Sequence, residues 1–135
     1  TRSRAHQQHA LEMGAAWAGM VDQIPDKILD RAILFAPAGD LVPLALKAVR
    51  PGGTVAINAV HLSPIPEIPY DLIYGERTLR SVANVTRRDA SEFFTLAQEI
   101  GIQSTVQMYD LADANRALDD LKNSRFNGEA VLKVL

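Results

Sequence analysis

The chain has 135 residues, the size of one ordinary domain, and 47% hydrophobic against 22% charged residues exclude a disordered chain. Fourteen Lys and Arg against 16 Asp and Glu, with no cysteine, exclude a strongly basic nucleic-acid binder, a disulfide and a thiolate zinc site. No apolar run approaches the ~20 residues of a membrane-crossing helix. The start Thr-Arg-Ser-Arg, without Met, predicts a piece of something longer. The composition is compatible with the cytoplasm.

Short apolar runs alternate with amphipathic segments along the chain. The runs predict strands, and apolar residues three and four positions apart predict helices. Residues 4–13 are predicted as the first helix, with Ser3 as its N-cap and Gly14 as its C-terminal stop. The other predicted elements are strands at 16–21, 31–35, 54–58, 78–82, 103–109 and 129–135, helices at 41–49, 89–100 and 110–122, and a helical turn at 70–75.

Connections, caps and helix faces have signals of their own. Residues 51–53 predict a turn, and the three prolines of residues 61–69 predict an extended connection. Asp89, followed three residues later by Glu92, resembles a capping box. Three apolar helix faces are predicted to point inward: Leu41, Leu44, Ala45 and Ala48; Phe93, Leu96, Ala97 and Ile100; Leu111, Ala114, Ala117, Leu118 and Leu121.

Strands that alternate with helices predict an α/β fold with a parallel sheet. In such sheets ligands bind beyond the carboxyl ends of the strands. The candidate ligand-binding region is therefore formed by the segments that follow three predicted strands, residues 36–39, 58–61 and 81–88.

All three segments have features suited to a ligand, and residues 58–61 bring the polar side chains of Asn58 and His61 into this region. Small residues at 36–39 would let a flat ligand approach the backbone, and Arg87 and Arg88 near a helix start could hold an anion. The alternative is that Gly39 and Gly53 only shape turns and that both arginines are solvated.

Three stretches of sequence carry a family resemblance. They are HALEMGAAWAG, then APAGDLVPLALKAVRPGGTVAINAVHLSPIPEIPYDLIYGERTLRSVANVTRRD, and finally YDLADANRALDDLKNSRFNGEAVLKV. In this order and spacing they resemble the C-terminal half of zinc-type alcohol dehydrogenases, members of the medium-chain dehydrogenase/reductase superfamily. The resemblance covers essentially the whole chain.

The resemblance implies two parts. Residues 1–102 would be a partial Rossmann domain, a doubly wound parallel sheet that lacks its first strands and binds NAD(P). Residues 103–135 would be the C-terminal strand-helix-strand that in the family returns to the catalytic domain. The implied activity is hydride transfer between an alcohol or aldehyde and the nicotinamide cofactor.

The first residues bear on the choice of cofactor. By the resemblance, Thr1 stands where NAD-preferring members carry an Asp for the ribose hydroxyls. The following residues include Arg2, Ser3 and Arg4 and no carboxylate, which favours NADP, with Arg2 and Ser3 on its 2′-phosphate. NAD remains possible, because the arginines could be surface charges at a helix start.

The remaining cofactor contacts implied by the resemblance fall at the strand ends. They are Ala36, Pro37 and Ala38 on the adenosine and nicotinamide-ribose side, Asn58, Ala59 and Val60 at the carboxamide, and Asn84 and Arg87 at the phosphates. Arg88 could replace Arg87. No catalytic residue and no metal ligand is assigned to this chain.

Some of the family's motifs do not occur in the sequence. There is no Gly-x-Gly-x-x-Gly loop to cradle a pyrophosphate, and the family's catalytic zinc ligands lie mostly in its N-terminal domain. We interpret His6 and His9 as a solvated helix face, and His61 as structural or a neighbour of the ribose. We expect zinc only in the full-length enzyme, and an isolated chain without activity.

The implied loss of strands bears on assembly. In the strand order 3-2-1-4-5-6 the missing strands are central, so the strand at 16–21 loses its neighbour and the strand at 31–35 has an unpaired edge. We expect the chain to rearrange, to form a homodimer or higher oligomer through sheet edges, or to have residues upstream. Family dimers place residues 78–82 near an interface.

Other hypotheses remain open at this stage. The expected partners are a nicotinamide cofactor and a small alcohol or aldehyde, with no nucleic acid and no membrane. One alternative is a zinc-independent quinone or enoyl reductase of the same superfamily, and the other is a non-catalytic module that self-associates. The string YDLIYGERTLRS favours the alcohol dehydrogenase branch.

Overall fold

The computed structural model describes residue 1 and residues 3–134. Its elements are α1 (Arg4–Glu12), β1 (Leu29–Leu34), α2 (Leu41–Ala48), β2 (Val49–Ile57), α3 (Asp71–Tyr74), β3 (Thr78–Ser81), α4 (Arg87–Ile100), β4 (Val106–Asp110), α5 (Ala114–Lys122) and β5 (Glu129–Lys133). Short 3₁₀ helices occupy Val21–Gln23 and Leu111–Asp113. None of the helices between residues 3 and 134 combines the length and apolar character that a bilayer crossing requires.

The strands form two parallel sheets. The first has the order β1-β2-β3, and the second pairs β4 with β5. Val55 at the centre of β2 is opposite Ala32 of β1 and Leu79 of β3. The predicted α/β fold with parallel strands is confirmed. In the described part of the chain β1 has no second neighbour, so the expected unpaired edge at 31–35 is also confirmed.

The core lies between α2 and the first sheet. Four of its side chains are fully buried: Val42, Leu46, Val49 and Val55. Complete burial of each such side chain contributes roughly 1.5–3 kcal/mol relative to exposure in water. This core positions the three strand ends of the first sheet. Its buried residues belong to α2 and β2, and partly buried residues of β1, β3, α3 and the segment after β2 pack against them.

The prediction of a strand at 16–21 is wrong. Residues 16–20 form no regular element, and Val21 begins a 3₁₀ helix. A strand needs a partner for its backbone hydrogen bonds, and no described segment pairs with these residues. Gly19 O instead accepts a hydrogen bond of 3.0 Å from the N-terminal ammonium of Thr1.

The prediction of a turn at 51–53 is also wrong. These residues lie inside β2, where the pairing with β1 passes from Leu29 opposite Val49 to Arg31 opposite Thr54. The additional residues form a bulge, and Gly52 accommodates it with a φ of +73°. The glycines bend the strand without ending it.

The predicted inward faces are largely corrected. In α2 the buried residues are Val42, Ala45, Leu46 and Ala48. Because this helix is apolar nearly all round, its sequence periodicity did not select the buried side, and Leu44 is exposed. α4 has no buried residue, and α5 buries only Ala117. α5 packs against β4 and β5 but leaves Leu118 and Leu121 exposed, and the stripe of α4 is exposed apart from the half-buried Ala97, since packing rather than periodicity decides burial.

The caps of α1 and α4 differ in outcome. Ser3 caps α1 as predicted, because its Oγ accepts a hydrogen bond of 3.3 Å from His6 N. The α4 capping box is formed by Thr86 and Asp89, one turn earlier than predicted. Glu92 instead pairs with Arg88. Thr86 has the extended backbone of an N-cap, which the sequence pattern alone does not show.

Candidate functional site

The carboxyl ends of β1, β2 and β3 meet at one edge of the first sheet. Asn58 N donates a hydrogen bond of 2.8 Å to Leu34 O, and Val82 N donates one of 2.9 Å to Ile57 O. The backbone thus remains paired as each strand ends. This edge brings the segments 36–38 and 58–60 together, as the sequence predicts for a ligand-binding region.

The loops after β1 and β2 are tied together. Gly39 N donates to Ser63 Oγ at 2.8 Å, and Ser63 N donates to Pro37 O at 3.3 Å. Gly39 is buried, and a Cβ there would overlap the carbonyl oxygens of Ser63 and Pro64. Gly39 is therefore required for a close backbone approach. Ser63 was missed by sequence reasoning because its contact spans 24 residues, and no local pattern marks it.

The edge is open and lined by small or polar groups. The exposed residues of this edge are Ala36, Pro37, Asn58, Val60 and His61, with Val60 92% exposed. Ala38, Ala59 and Leu62 are half-buried. The small side chains leave room for a flat ligand to approach this edge, while the amides of Ala38, Gly39 and Asn58 already donate hydrogen bonds within the chain. The edge offers no glycine-rich phosphate loop among its described residues.

Asn84 and Arg87 follow the third strand. Asn84 is exposed in the connection from β3, and Arg87 is the first residue of α4. The two arginines at this helix start differ in their partners, because Arg88 Nε lies 2.6 Å from Glu92 Oε1. Arg87 takes part in no ion pair between residues 3 and 134. The structure thus distinguishes Arg88, which pairs with Glu92, from Arg87, while the predicted phosphate contact of either residue stays a prediction.

The predicted 2′-phosphate residues lie at the start of the chain. Thr1 O accepts a hydrogen bond of 2.7 Å from Gln7 Nε2, and Ser3 Oγ serves as the N-cap of α1. The hydrogen bonds of Thr1 and Ser3 remain within residues 1–19 and do not join the strand ends. Arg2 lies outside the described residues. The role of these three residues remains a prediction.

His6 and His9 do not form the solvated face that the sequence suggested. Both are half-buried and line a cavity of about 270 Å³ with Leu121, Phe126 and Gly128. The loop after α5 covers this face of α1, a contact that helix periodicity does not reveal. Within residues 3–134 no group of three or more His, Cys, Asp or Glu side chains could hold a metal ion.

These features define the class of fold, an α/β fold built on parallel sheets, which solved alcohol dehydrogenases share. The cinnamyl alcohol dehydrogenase SbCAD4 of Sorghum bicolor matches 96% of this chain with a TM-score of 0.79 and 18% identity, over 38% of its own length. The alcohol dehydrogenase of the archaeon Aeropyrum pernix matches 99% with a TM-score of 0.80 and 18% identity, over 41% of its length. These likenesses show the fold.

Sequence comparison identifies a more specific relationship. The chain is 44% identical over 135 residues to "Probable alcohol dehydrogenase AdhA" of Mycobacterium tuberculosis. That alignment covers 99% of this chain and 39% of the relative. The chain is thus a homologue of an alcohol dehydrogenase, as its sequence motifs predict, and spans about two fifths of that relative's length. No protein-family model matches it.

Proposed function

We propose that this chain is part of a cytoplasmic, NADP-dependent, zinc-type alcohol dehydrogenase and supplies cofactor contacts at the carboxyl edge of its first sheet. The observation that carries the proposal is the 44% identity to an alcohol dehydrogenase over the whole chain. The open edge after β1 and β2 supports it. So does a structural neighbour, the acetophenone reductase of Geotrichum candidum, solved in complex with NAD, with a TM-score of 0.76 and 21% identity over 98% of this chain and 39% of its own.

The proposed division of labour follows the two sheets. Residues 1–102 contain all of the sheet β1-β2-β3, and residues 103–135 contain the pair β4-β5. No strand pairing joins the two sheets in the described part of the chain. This supports a cofactor-binding part followed by a closing segment that joins the catalytic domain of the complete enzyme.

Each set of residues has a proposed task at the cofactor. The segments 36–38 and 58–60 position the nucleotide through small side chains and backbone groups, and Arg87 holds a phosphate. Arg2 and Ser3 hold the 2′-phosphate, and Thr1 stands where an Asp would bind the ribose hydroxyls of NAD, which gives NADP preference over NAD. When bound, the nicotinamide exchanges a hydride with the substrate carbon. This chain's residues fix the orientation of the ring.

The zinc chemistry is proposed to come from outside this chain. Zinc, in the complete enzyme, would need about four ligands from His, Cys or carboxylate side chains. The described residues offer no group of three such side chains that could hold a metal. We therefore propose that the isolated chain is inactive, and NADPH-dependent aldehyde reduction by pure 135-residue material would contradict this.

A chimaera tests the proposed function. The matching segment of the Mycobacterium tuberculosis relative is replaced by this chain, and alcohol oxidation is measured with NADP and with NAD. We expect the chimaera to turn over alcohol with NADP faster than the isolated 135-residue chain does. The unaltered relative is the control for assay conditions. A chimaera that folds by circular dichroism yet neither binds NADP nor oxidises any alcohol would contradict the proposal.

A second proposal concerns self-association through the sheet edge. The outer edge of β1 has no partner among the described residues, and unpaired edges invite another strand. We propose that the chain forms a homodimer or higher oligomer by pairing at sheet edges. Light scattering after gel filtration tests it, with Ile33→Lys, a charge on the exposed β1 strand, expected to shift the population toward monomer. A wild-type monomer at every concentration contradicts it.

A further inference from the structure

Arg77 is a buried cation at the amino end of the first sheet. It immediately precedes β3 and is only 8% exposed. Its Nε donates a hydrogen bond of 2.9 Å to Val49 O, and its Nη1 donates one of 3.4 Å to Leu72 O. The side chain thereby joins the start of β2, the short helix α3 and the start of β3.

Among the described residues, Arg77 forms no ion pair with the carboxylates near it, of which Asp71 lines a cavity together with Arg77. None of the ion pairs within residues 3–134, defined by a distance of at most 4.0 Å, includes Arg77. A guanidinium has five N–H groups, and only two have hydrogen-bond acceptors here. No buried side-chain N or O atom among the described residues lacks a hydrogen-bond partner, so the remaining N–H groups of Arg77 are reached from solvent and can take an added acceptor.

A cavity opens beside the guanidinium. Its volume is about 390 Å³, and Lys27 and Lys47 line it together with Arg77. The two lysines are held next to each other because Lys27 N donates a hydrogen bond of 3.0 Å to Lys47 O. Asp26 and Asp71 also line the cavity. Asp26 Oδ1 lies 3.5 Å from Lys47 Nζ in a solvent-exposed ion pair, which contributes little to stability.

We propose that this cavity binds a small oxyanion of phosphate chemistry, inorganic phosphate or the phosphate of a monoester. The three cations outnumber the two carboxylates of the lining. The free N–H groups of Arg77 provide a planar donor set that matches two oxygens of a phosphate. Lys27 and Lys47 add charge at the mouth. The site lies at the amino ends of the strands, whereas the proposed cofactor site lies at their carboxyl ends.

The first test uses the wild-type chain and inorganic phosphate. The side-chain Nε–H resonance of Arg77 is followed by NMR as potassium phosphate replaces potassium chloride at constant ionic strength. We expect a saturable shift of this resonance. The same titration with glycerol 3-phosphate identifies the source, since tighter binding of the monoester indicates a phosphorylated molecule and equal binding indicates free phosphate. An Arg77 resonance that does not move with either ligand overturns the proposal.

The second test uses variants that spare the hydrogen bonds of Arg77. The double variant Lys27→Gln with Lys47→Gln removes two exposed charges, and Lys122→Gln at the end of α5 is the control. We expect the apparent Kd for phosphate to rise about tenfold in the double variant, as loss of charged hydrogen bonds predicts. It should be unchanged in Lys122→Gln. If the double variant and Lys122→Gln weaken phosphate binding equally, the effect comes from the overall charge of the chain and the proposal is overturned. If the double variant does not fold, the NMR titration of the wild-type chain decides.

Discussion

The Tyr109 hydroxyl lies 3.1 Å from Oδ2 of Asp120 and connects β4 to α5. Asp120 also pairs with Arg125, whose Nη1 is 3.0 Å from its Oδ1. This guanidinium is the main reason that the pKa of Asp120 is held below its ordinary value. Burial first, and the hydrogen bond to Asp120 second, raise the pKa of Tyr109. The network at the second sheet thus favours the ionised form of Asp120 in acid and the protonated form of Tyr109 in alkali.

We expect this network to stabilise the folded chain most between acid and alkaline pH. The folded-state pKa of Asp120 is lowered, so its contribution is complete above its unfolded pKa and is lost as pH falls through the folded value. The folded-state pKa of Tyr109 is raised, so its contribution is complete below its unfolded pKa and is lost as pH rises through the folded value. Urea unfolding measured against pH checks both limbs.

Two variants separate the acid and the alkaline limb of the plot of unfolding free energy against pH. Asp120→Asn should flatten the acid limb, although Asp89, whose pKa Thr86 lowers through hydrogen bonds, continues to contribute there. Tyr109→Phe should flatten the alkaline limb and leave the acid limb mostly in place. If both variants keep the wild-type dependence of stability on pH, Asp120 and Tyr109 have the same pKa in the folded and unfolded chain, which contradicts this prediction.

The sequence predicted best those elements whose partners lie within the chain. The elements β1, α2, β2 and β3 form one core, so local apolar runs and tertiary packing agree there. The segment 16–21 has the apolar pattern of a strand but no described neighbour to pair with, and the pattern alone could not show this. The stripe of α4 is likewise amphipathic, yet Phe93 is 55% and Ile100 63% exposed.

The geometry of the candidate site was also predictable only in part, and the roles of its residues stay predictions. The carboxyl ends of β1 and β2 come together because parallel strands require it, and the sequence alternation reveals parallel strands. The bond between Gly39 and Ser63 joins two loops, and no periodicity encodes it. The choice between Arg87 and Arg88 depends on where α4 begins. The structure places that start two residues before the predicted one.

Leu46→Ala is expected to destabilise the chain by about 2–5 kcal/mol, because its fully buried side chain would leave a cavity between α2 and β2. Leu44→Ala on the same helix is the matched control. Its side chain is 39% exposed, so the loss should be smaller. Chemical denaturation of both variants measures the difference. Equal losses would contradict the assignment of the buried face, which the sequence had placed on Leu44.

Thr86→Ala is expected to unfold the first turn of α4 in preference to the rest of the chain. The Thr86 hydroxyl accepts from Asp89 N at 3.2 Å, while Thr86 N donates to Asp89 Oδ2 at 2.8 Å. Loss of an N-cap costs about 0.5–2 kcal/mol, and α4 has no buried residue to compensate. Amide exchange over residues 87–100 measures this. Thr95→Ala, in the middle of the helix, is the control and should leave exchange at the first turn unchanged.

Gly39→Ala is expected to destabilise the candidate edge by about 1–3 kcal/mol, because the new methyl group would overlap the Ser63 and Pro64 carbonyl oxygens. Ala36→Ser, at an exposed position in the same loop, is the control for a small change of size. Thermal unfolding ranks the two variants. A stable Gly39→Ala chain would show that the two loops can separate without cost.

Arg87→Ala should weaken NADP binding by the chimaera about tenfold or more, the effect expected for loss of one charged hydrogen bond to phosphate. Arg88→Ala removes the same charge from the next residue, but Arg88 is engaged with Glu92 at 2.6 Å, and we expect a change of less than about twofold. The dissociation constant of NADPH, from its fluorescence, and the KM for NADP measure both variants. A larger effect of Arg88→Ala would move the phosphate contact to that residue. If neither variant changes binding, α4 does not take part in the cofactor site. The proposed contacts of residues 36–38 and 58–60 would then need separate variants, because they do not depend on α4.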